Sequence, residues 1–398
     1  MTTGRHTHHL RLKNQKSTEK NLCRLITDRH LEELRELGVT VVEGVITEEE
    51  CDKQRGKYEE WLKEFPKGTW PFSPHGIVKW YRSGHMEPTW NIRMQAKPVF
   101  TQLWGTEELL SSIDNVAIGR PPEDGEEDFY REGQHWLHCD QGPKRKGLHC
   151  YQGAVYLEHC DEDDWAFEVL EKSHDLFERF YQESEHALTE GKEDPLWRLR
   201  HLNDEDLKWY LDEGCNPRRI AVPKGGMILW DSRLIHANAR PLRNRNNPGR
   251  WRYVVFVSMG PAAWATEHDL EIKRDAYKNL KMTTHWPCFG IGVHPTDPPR
   301  CAYIEVSMVS ELPEVAKTLE AKRLMGVEPY ARVWKPEWNA ERIEIEKKEE
   351  ERLRNNKDKW VNLGSWNIIS QWSLYRRLAV CLSMGITLTA LIKRSWAV

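Results

Sequence analysis

The chain has 398 residues, of which 39% are hydrophobic and 30% are charged, and its formal net charge is −4. This size and composition indicate a globular protein with one large domain and appendages, or with two modest domains. The small net charge excludes a global electrostatic attraction to nucleic acid or to a membrane. The nine cysteines have no compact framework of spacings. We therefore expect reduced thiols in an intracellular, cytoplasmic protein.

The first part of the chain has mainly helical signals. Residues 1–28 form a basic, histidine-rich segment that we expect to be disordered, and they lack the apolar stretch of a secretory signal. Thr47 and the three glutamates after it predict the N-cap and first turn of a helix. Pro98 and Gly105 predict interruptions in a later helical region. The predicted elements are a helix over 29–37, a strand over 39–42, and helices over 48–65 and 92–110.

The middle of the chain alternates between strand and helix signals. Segments in which apolar residues alternate or run together, bounded by Gly, Pro and Asp, predict strands. They are 129–130, 135–139, 151–159, 219–222, 226–230 and 252–258. Residues 174–216 have helical spacing instead. The pattern predicts an α+β fold with a mainly β core over residues 29–310. We expect a double-stranded β-helix, of the jelly-roll or cupin type, with flanking helices and one helical insertion.

Residues 311–398 are expected to form a helical, charged C-terminal extension. A helix is predicted over 265–280 before it, and charged residues dominate 335–360. Residues 378–392 form a 15-residue stretch without charge, flanked by basic residues. This stretch is shorter than the roughly 20 apolar residues that span a bilayer. We interpret it as a docked or interfacial segment and expect no transmembrane span.

Three residues form a candidate metal site. His138 and Asp140 are two positions apart at the end of a predicted strand, so their side chains point to the same side. His236 follows the turn and buried strand over 225–230, and it can bring a second imidazole to that place. Two histidines and one carboxylate on one face of a metal leave coordination positions open, which is typical of non-haem Fe(II) oxygenases. We predict that these three residues bind Fe(II) and form the catalytic centre, where O2 is activated.

Iron sites of this type commonly bind 2-oxoglutarate, whose far carboxylate needs a cation. Arginine suits this role because its planar guanidinium binds a carboxylate through two hydrogen bonds. Arg252 and Arg250 share strand parity, and Arg252 is favoured because it lies directly ahead of the apolar strand. Asn238 lies two residues beyond His236 and shares its face, and Gln152 lies where a pocket wall is expected, so both are further candidates for the co-substrate pocket. Trp136 is a candidate for the substrate pocket.

Two basic loops suggest the kind of substrate. Residues 233–252 contain six arginines and no acid, and a second basic loop follows the first two ligands. Both loops leave strands that carry predicted ligands, so we expect them to line one opening, although solvated loops would have the same composition. The substrate-binding candidates are Lys144, Arg145, Lys146, Arg243 and Arg245. They predict an anionic substrate such as an acyl-CoA, a nucleotide or a nucleic acid.

Four segments of the chain share the pattern of a known family. They are residues 31–50, His138-Cys139-Asp140-Gln141 with 151–157, Glu171-Lys172-Ser173-His174, and 225–252. Together they resemble the phytanoyl-CoA dioxygenase (PhyH-like) family of Fe(II)/2-oxoglutarate oxygenases over roughly residues 30–260. The third segment resembles the Gly-Ser-His element of that family, with Lys172 in place of the usual small residue. The resemblance implies hydroxylation of a C–H bond, with Arg252 as the 2-oxoglutarate anchor.

Two other functions are compatible with the sequence. One is a catalytically inactive PhyH-like module whose basic opening binds an anionic partner. The other is a cupin-like zinc protein that acts as a hydrolase. A separate interpretation places zinc at the three His-Cys pairs, at 138–139, 149–150 and 159–160. Zinc is disfavoured because neighbouring residues on a strand point to opposite sides, whereas structural zinc sites take their ligands from tight turns.

Overall fold

The computed structural model describes residues 24–124, 135–143, 145, 147–187, 200–295, 297–298 and 304–330. The helices in these ranges are α1 (Asp28–Glu36), α2 (Glu48–Leu62), α3 (Glu87–Trp104), α4 (Ser173–Glu183), α5 (Asp204–Asp212), α6 (Glu267–Lys278) and α7 (Leu319–Leu324). The first seven strands are β1 (Val39–Val42), β2 (Ile77–Val78), β3 (Leu109–Ser111), β4 (Val116–Gly119), β5 (His138–Cys139), β6 (Tyr151–Tyr156) and β7 (Phe167–Glu171). The others are β8 (Arg200–His201), β9 (Asn216–Ile220), β10 (Met227–Asp231), β11 (His236–Asn238), β12 (Arg252–Pro261), β13 (Met282–Thr283) and β14 (Val293–His294).

Two antiparallel sheets form the centre of the protein. The larger sheet has seven strands in the order β1-β10-β6-β12-β4-β2, with β3 also paired to β12. The smaller sheet has five strands in the order β8-β5-β11-β7-β9. Strands β13 and β14 form a separate hairpin. The combination of helices with a β core, predicted from the sequence, is therefore confirmed, and the sheets are antiparallel.

Side chains alternate between the two faces of each sheet, and this alternation builds three cores. Ala154, Val254 and Ile228 of the larger sheet pack with Phe167 and Val169 of the smaller sheet, so the two sheets face each other. The opposite face of the larger sheet packs on a cluster that includes residues of α2 and α3. The outer face of the smaller sheet packs on residues of α4 and α5. The two sheets therefore face each other, and helices cover the outer face of each sheet.

Helix α2 shows how the sequence sets this packing. The Thr47 hydroxyl accepts a hydrogen bond from the backbone N–H of Glu50 at 3.2 Å, as predicted for the N-cap. Cys51, Gln54, Tyr58 and Trp61 are buried. They recur every three or four residues and therefore form one face of the helix, which packs with α3 in the cluster behind the larger sheet.

The predicted helix over 92–110 was wrong at both ends. Helix α3 begins at Glu87, runs through Pro98 without a break, and ends at Gly105, whose φ of +65° is left-handed. The three residues from Leu109 to Ser111 form strand β3 and pair with β12. The strand was missed because its short apolar run continues the helical spacing before it.

Two other predicted regions differ in detail. The insertion over 174–216 contains helices α4 and α5, but it also contains strand β8, which pairs with β5. Residues 24–28, expected to be disordered, contact helix α3: the backbone N–H groups of Leu25 and Ile26 donate to the Gln102 side chain at 2.8 and 2.9 Å.

Packing also continues past residue 310, where the C-terminal extension was predicted to begin. Ala316, Leu324 and Met325 are buried in the cluster behind the larger sheet. The segments at 129–130, 335–360 and 378–392 lie outside the described residues. Among the helices that the structure describes, none is both long and apolar enough to cross a bilayer.

Lys172 precedes α4 in a strained backbone conformation. Its φ is +71° and its ψ is −5°, which favour glycine, and its N–H donates to the Leu37 carbonyl at 3.0 Å. We predict that Lys172→Gly raises the free energy of unfolding by about 1 kcal/mol, because the left-handed strain is removed. Urea unfolding of the two proteins measures the difference. An unchanged or lower stability of the glycine variant would contradict the prediction.

Candidate metal centre and its pocket

The structure brings the three predicted metal ligands together between the sheets. Strands β5 and β11 pair with His138 directly opposite His236, so the two imidazoles lie side by side with ring centres 4.4 Å apart. Asp140 follows β5 by one residue. Its two carboxylate oxygens lie 3.5 Å from His138 Nε2 and 3.4 Å from His236 Nε2. All three residues are buried, and their ligand atoms lie within 4.8 Å of one another.

The backbone orients both imidazoles for metal binding. Nδ1 of His138 lies 3.0 Å from the carbonyl oxygen of Trp136, and Nδ1 of His236 lies 2.9 Å from that of Leu234. A carbonyl can only accept, so each Nδ1 carries the proton and each Nε2 presents its lone pair to the site. This arrangement is the usual support of a metal-binding histidine. The three residues fit an Fe(II) ion.

The charges of the site favour a bound cation. Burial lowers the pKa of His138 below its ordinary value, which keeps the ring in the neutral form that binds metals. Burial alone would raise the pKa of Asp140, but the imidazoles of His285, His138 and His236 hold it well below its usual range. A buried carboxylate that stays ionised needs a positive partner.

Two more side chains meet the Asp140 carboxylate. The Gln152 side-chain amide donates to Oδ2 at 3.1 Å. Nδ1 of His285 lies 3.8 Å from the same oxygen. Gln152, predicted as a co-substrate residue, therefore contacts a predicted metal ligand.

The two candidate anchor arginines have different surroundings. Arg252 is buried; its Nη2 donates to Asn238 Oδ1 at 2.6 Å, but its Nε and Nη1 have no partner among the described residues. Arg250 donates to carboxylate oxygens of Asp161 and Asp164, both at 2.6 Å. Arg252 thus has two donors available for a ligand, whereas Arg250 is neutralised by acids.

Other unpaired polar atoms are buried on the same inward face of the larger sheet. The Tyr156 hydroxyl and the Trp230 indole N–H have no well-formed hydrogen bond in the part of the chain that the structure describes. The ring of Tyr156 lies 5.8 Å from the carbon at the centre of the Arg252 guanidinium. Buried donors without partners are costly, so they indicate a polar ligand in this space. A dicarboxylate such as 2-oxoglutarate fits them.

Trp136 forms part of the wall next to the metal ligands. Its ring stacks on His138 at 4.6 Å and on His75 at 4.0 Å. Its indole N–H donates to the Asn238 carbonyl at 2.6 Å, so Asn238 links this wall to Arg252. These contacts place Trp136 beside the metal ligands, and its role in the substrate pocket stays a prediction.

Most of the described cations of the two basic loops are paired. Arg245 is buried between Glu123 and Asp164, with contacts of 2.7 and 2.9 Å, and Arg233 pairs with Asp231 at 2.7 Å. The sequence interpretation overlooked these acids because some are distant in the chain. Arg245 therefore lies in an internal ion-pair network rather than on an open basic surface.

The other substrate-binding candidates in the two basic loops differ in their burial. The Arg145 guanidinium lies 4.2 Å from the centre of the Trp286 ring, and Arg145 is buried. Arg243 is exposed. Lys144 and Lys146 lie outside the described residues.

Several residues near the site were not assigned to it from the sequence. Lys79 follows β2, is half-buried, and makes no hydrogen bond or ion pair with any described residue. Burial lowers its pKa, while Asp140 and Asp114 oppose that shift. His75 and His201 lie near His138. Single residues such as these have no sequence spacing that indicates a shared site. They come near the metal ligands only through the folding of the chain.

Among the residues that the structure describes, cysteine takes no part in a candidate metal site. Within the described ranges, the groups able to hold a metal are the His138, Asp140 and His236 set and an acidic set at residues 161, 163 and 164. Asp161 and Asp164 of the acidic set already bind Arg250. The three His-Cys pairs therefore form no metal site among the described residues.

Comparisons with known proteins give distant likenesses. No family model matches the chain. The chain is 26% identical over 271 residues to Ava biosynthesis cluster protein O of Aspergillus versicolor, covering 64% of this chain and 85% of that protein. Its structure is similar to that of GlcNAc Inducible Gene 2 (GIG2, DUF1479) of Candida albicans, with a TM-score of 0.51 and 15% identity over 90% of this chain and 86% of that one. This likeness concerns the fold.

A more distant structural likeness involves HygX of Streptomyces hygroscopicus, determined with nickel, 2-oxoglutarate and hygromycin B bound. The TM-score is 0.39 and the identity 14%, over 59% of this chain and 88% of that chain.

The geometry of the three ligands predicts that a bound divalent metal stabilises the folded protein. We expect Co(II) at 100 times its dissociation constant to stabilise the protein by about 2.7 kcal/mol, because the ion binds only the folded chain. The stabilisation should disappear in His236→Ala and persist in His201→Ala, whose ring lies beside His138 but outside the ligand set. Thermal unfolding with and without Co(II) measures it. Equal stabilisation of wild type and His236→Ala would contradict this site.

Proposed function

We propose that the protein is an Fe(II)- and 2-oxoglutarate-dependent dioxygenase that hydroxylates a C–H bond of a small organic molecule. The observation that carries the proposal is a buried set of two histidines and one aspartate, in the same inter-sheet space as an arginine with two unpaired donors. The first feature fits a ferrous ion with open positions, and the second fits the far carboxylate of the co-substrate.

In this proposal each group of side chains has its own role. Bound iron and 2-oxoglutarate supply the oxidising chemistry, in which O2 and 2-oxoglutarate give succinate, CO2 and one oxygen atom for the substrate. His138, Asp140 and His236 would hold the metal on one face. Arg252 would bind the far carboxylate of 2-oxoglutarate, oriented by its hydrogen bond to Asn238. The apolar residues between the sheets would exclude water from this space.

We also propose that the fold is a double-stranded β-helix and that the chain is a member of the PhyH-like family. Two facing antiparallel sheets, with the candidate site between them, support a double-stranded β-helix. The left-handed conformation of Lys172 supports the resemblance to the PhyH-like family, because the small residue usual at that position suits this conformation. The complete ligand set argues against an inactive binding module.

Two observations bear on the class of the substrate. The name of the Aspergillus versicolor relative refers to a biosynthesis cluster, which supports a small metabolite as substrate rather than a macromolecule. The paired arginines no longer support an anionic substrate. An anionic group on the substrate stays a prediction, and a nucleic acid as substrate has no observation in its favour.

A matched pair of arginine variants tests the function. We predict that Arg252→Leu weakens 2-oxoglutarate binding to the Co(II)-loaded protein about 100-fold, because a buried charged hydrogen-bond partner is removed. Arg250→Leu should leave that affinity within about twofold, since Arg250 is neutralised by Asp161 and Asp164. Calorimetric titration measures both affinities. Arg→Lys variants at both positions replace any leucine variant that does not fold.

Turnover is then measured as succinate formed from 2-oxoglutarate in the presence of Fe(II) and O2. We expect succinate from the wild type and from Arg250→Leu, and almost none from Arg252→Leu at low 2-oxoglutarate. Tight 2-oxoglutarate binding by Arg252→Leu would overturn the assigned anchor. Failure of the wild type to bind 2-oxoglutarate or to form succinate would overturn the proposed function.

A further inference from the structure

His285 lies on the segment that joins β13 to β14, next to the candidate metal centre. The backbone on both sides of it is held by hydrogen bonds. The N–H of Thr283 donates to the Ile113 carbonyl at 2.9 Å, and the N–H of Thr284 donates to the Gly292 carbonyl at 2.8 Å. The N–H of Gly292 donates to the Thr284 hydroxyl at 3.1 Å. These bonds fix the point from which the His285 side chain leaves the backbone.

Aromatic contacts hold this segment against the loop that follows Asp140. The ring of His285 meets that of Trp286 edge-on, with centres 4.5 Å apart and planes at 60°. Arg145 covers the same Trp286 ring at 4.2 Å and lies 3.4 Å from the Gly290 carbonyl through Nη2. The position of Arg145, five residues after Asp140, therefore ties the two segments together.

The two ring nitrogens of His285 have different surroundings. Nδ1 lies 3.8 Å from Asp140 Oδ2, and Nε2 is buried without a hydrogen-bond partner in the described part of the chain. The Nδ1 distance is longer than a hydrogen bond, but a shift of about 1 Å would form one. Gln152 already donates to the same oxygen at 3.1 Å. Oδ2 is thus placed between an amide donor and an imidazole.

The geometry agrees with a donor role of His285 toward the aspartate. Nδ1 faces a carboxylate oxygen, which can only accept, so the proton of a neutral His285 ring belongs on Nδ1. Nε2 then presents a lone pair to its surroundings.

We propose that His285 is a positioning residue of the metal centre: together with Gln152 it holds the Asp140 carboxylate in the orientation that binds the metal. The inference rests on the proposed function, because it requires a divalent metal bound by Asp140. Residues that hydrogen-bond to a metal-binding side chain and orient it contribute about 10- to 100-fold to metal affinity in other proteins. A residue in the hairpin β13–β14 therefore acts on the metal through Asp140.

Three substitutions separate this role from simple packing. His285→Asn keeps a polar atom where Nδ1 lies, His285→Gln keeps one where Nε2 lies, and His285→Phe keeps only the ring. We expect Co(II) affinity within about threefold of wild type for His285→Asn, and about tenfold lower for His285→Gln and His285→Phe. The visible absorption of bound Co(II) should also change in these two variants, because the aspartate is displaced. His201→Phe is the matched control and should leave both affinity and spectrum unchanged.

The outcomes separate this inference from the proposed function. Wild-type affinity and spectrum in His285→Phe, or a loss in His285→Asn as large as in His285→Phe, would overturn the positioning role while leaving the metal site intact. Wild-type protein that does not bind Co(II) would overturn both. All variants are compared only after thermal unfolding without metal shows that they fold.

Discussion

The pairing of β5 with β11 determines the chemistry of the whole site. In this antiparallel pair His138 lies directly opposite His236, which places two imidazoles from residues 98 positions apart (236 − 138 = 98) side by side. Asp140 then follows on the same chain as His138, within 3.5 Å of both Nε2 atoms. A shift of the pairing by one residue would turn one imidazole to the outer face of the smaller sheet. The sheet register is thus the condition for a metal site.

The two faces of the larger sheet differ in what their side chains contact. Outward residues of β6, β10 and β12 pack on helices, whereas inward residues include Gln152, Tyr156 and Arg252. Because these polar residues share one face of the sheet, the unpaired donors of Tyr156 and Arg252 lie together in the space between the sheets. Unpaired buried donors are unfavourable in the free protein, and a ligand with carboxylate oxygens would satisfy them. The same alternation that builds the core therefore builds the candidate co-substrate pocket.

The sequence predicts those features that depend on local periodicity. Residues i and i+2 on a strand share a side, so the spacing of His138 and Asp140 indicated a common site. The position of Arg252 directly ahead of the apolar strand favoured it over Arg250. Apart from the place of His236 in the metal site, contacts between distant segments were not predicted. Arg245 looked like an open cation because Glu123 and Asp164, which neutralise it, lie about 80 to 120 residues earlier in the chain. His285 carried no spacing signal, and only the packing of the β13–β14 hairpin brings it to Asp140.

The central claim is that one ferrous ion is shared by His138, Asp140 and His236. Crystals grown without oxygen in the presence of Fe(II) and 2-oxoglutarate test it directly through anomalous scattering at the iron absorption edge. The account predicts a single iron peak bonded to these three side chains, with 2-oxoglutarate extending from the metal to Arg252. Iron bound elsewhere, or no iron at this site in an otherwise unchanged structure, would contradict it.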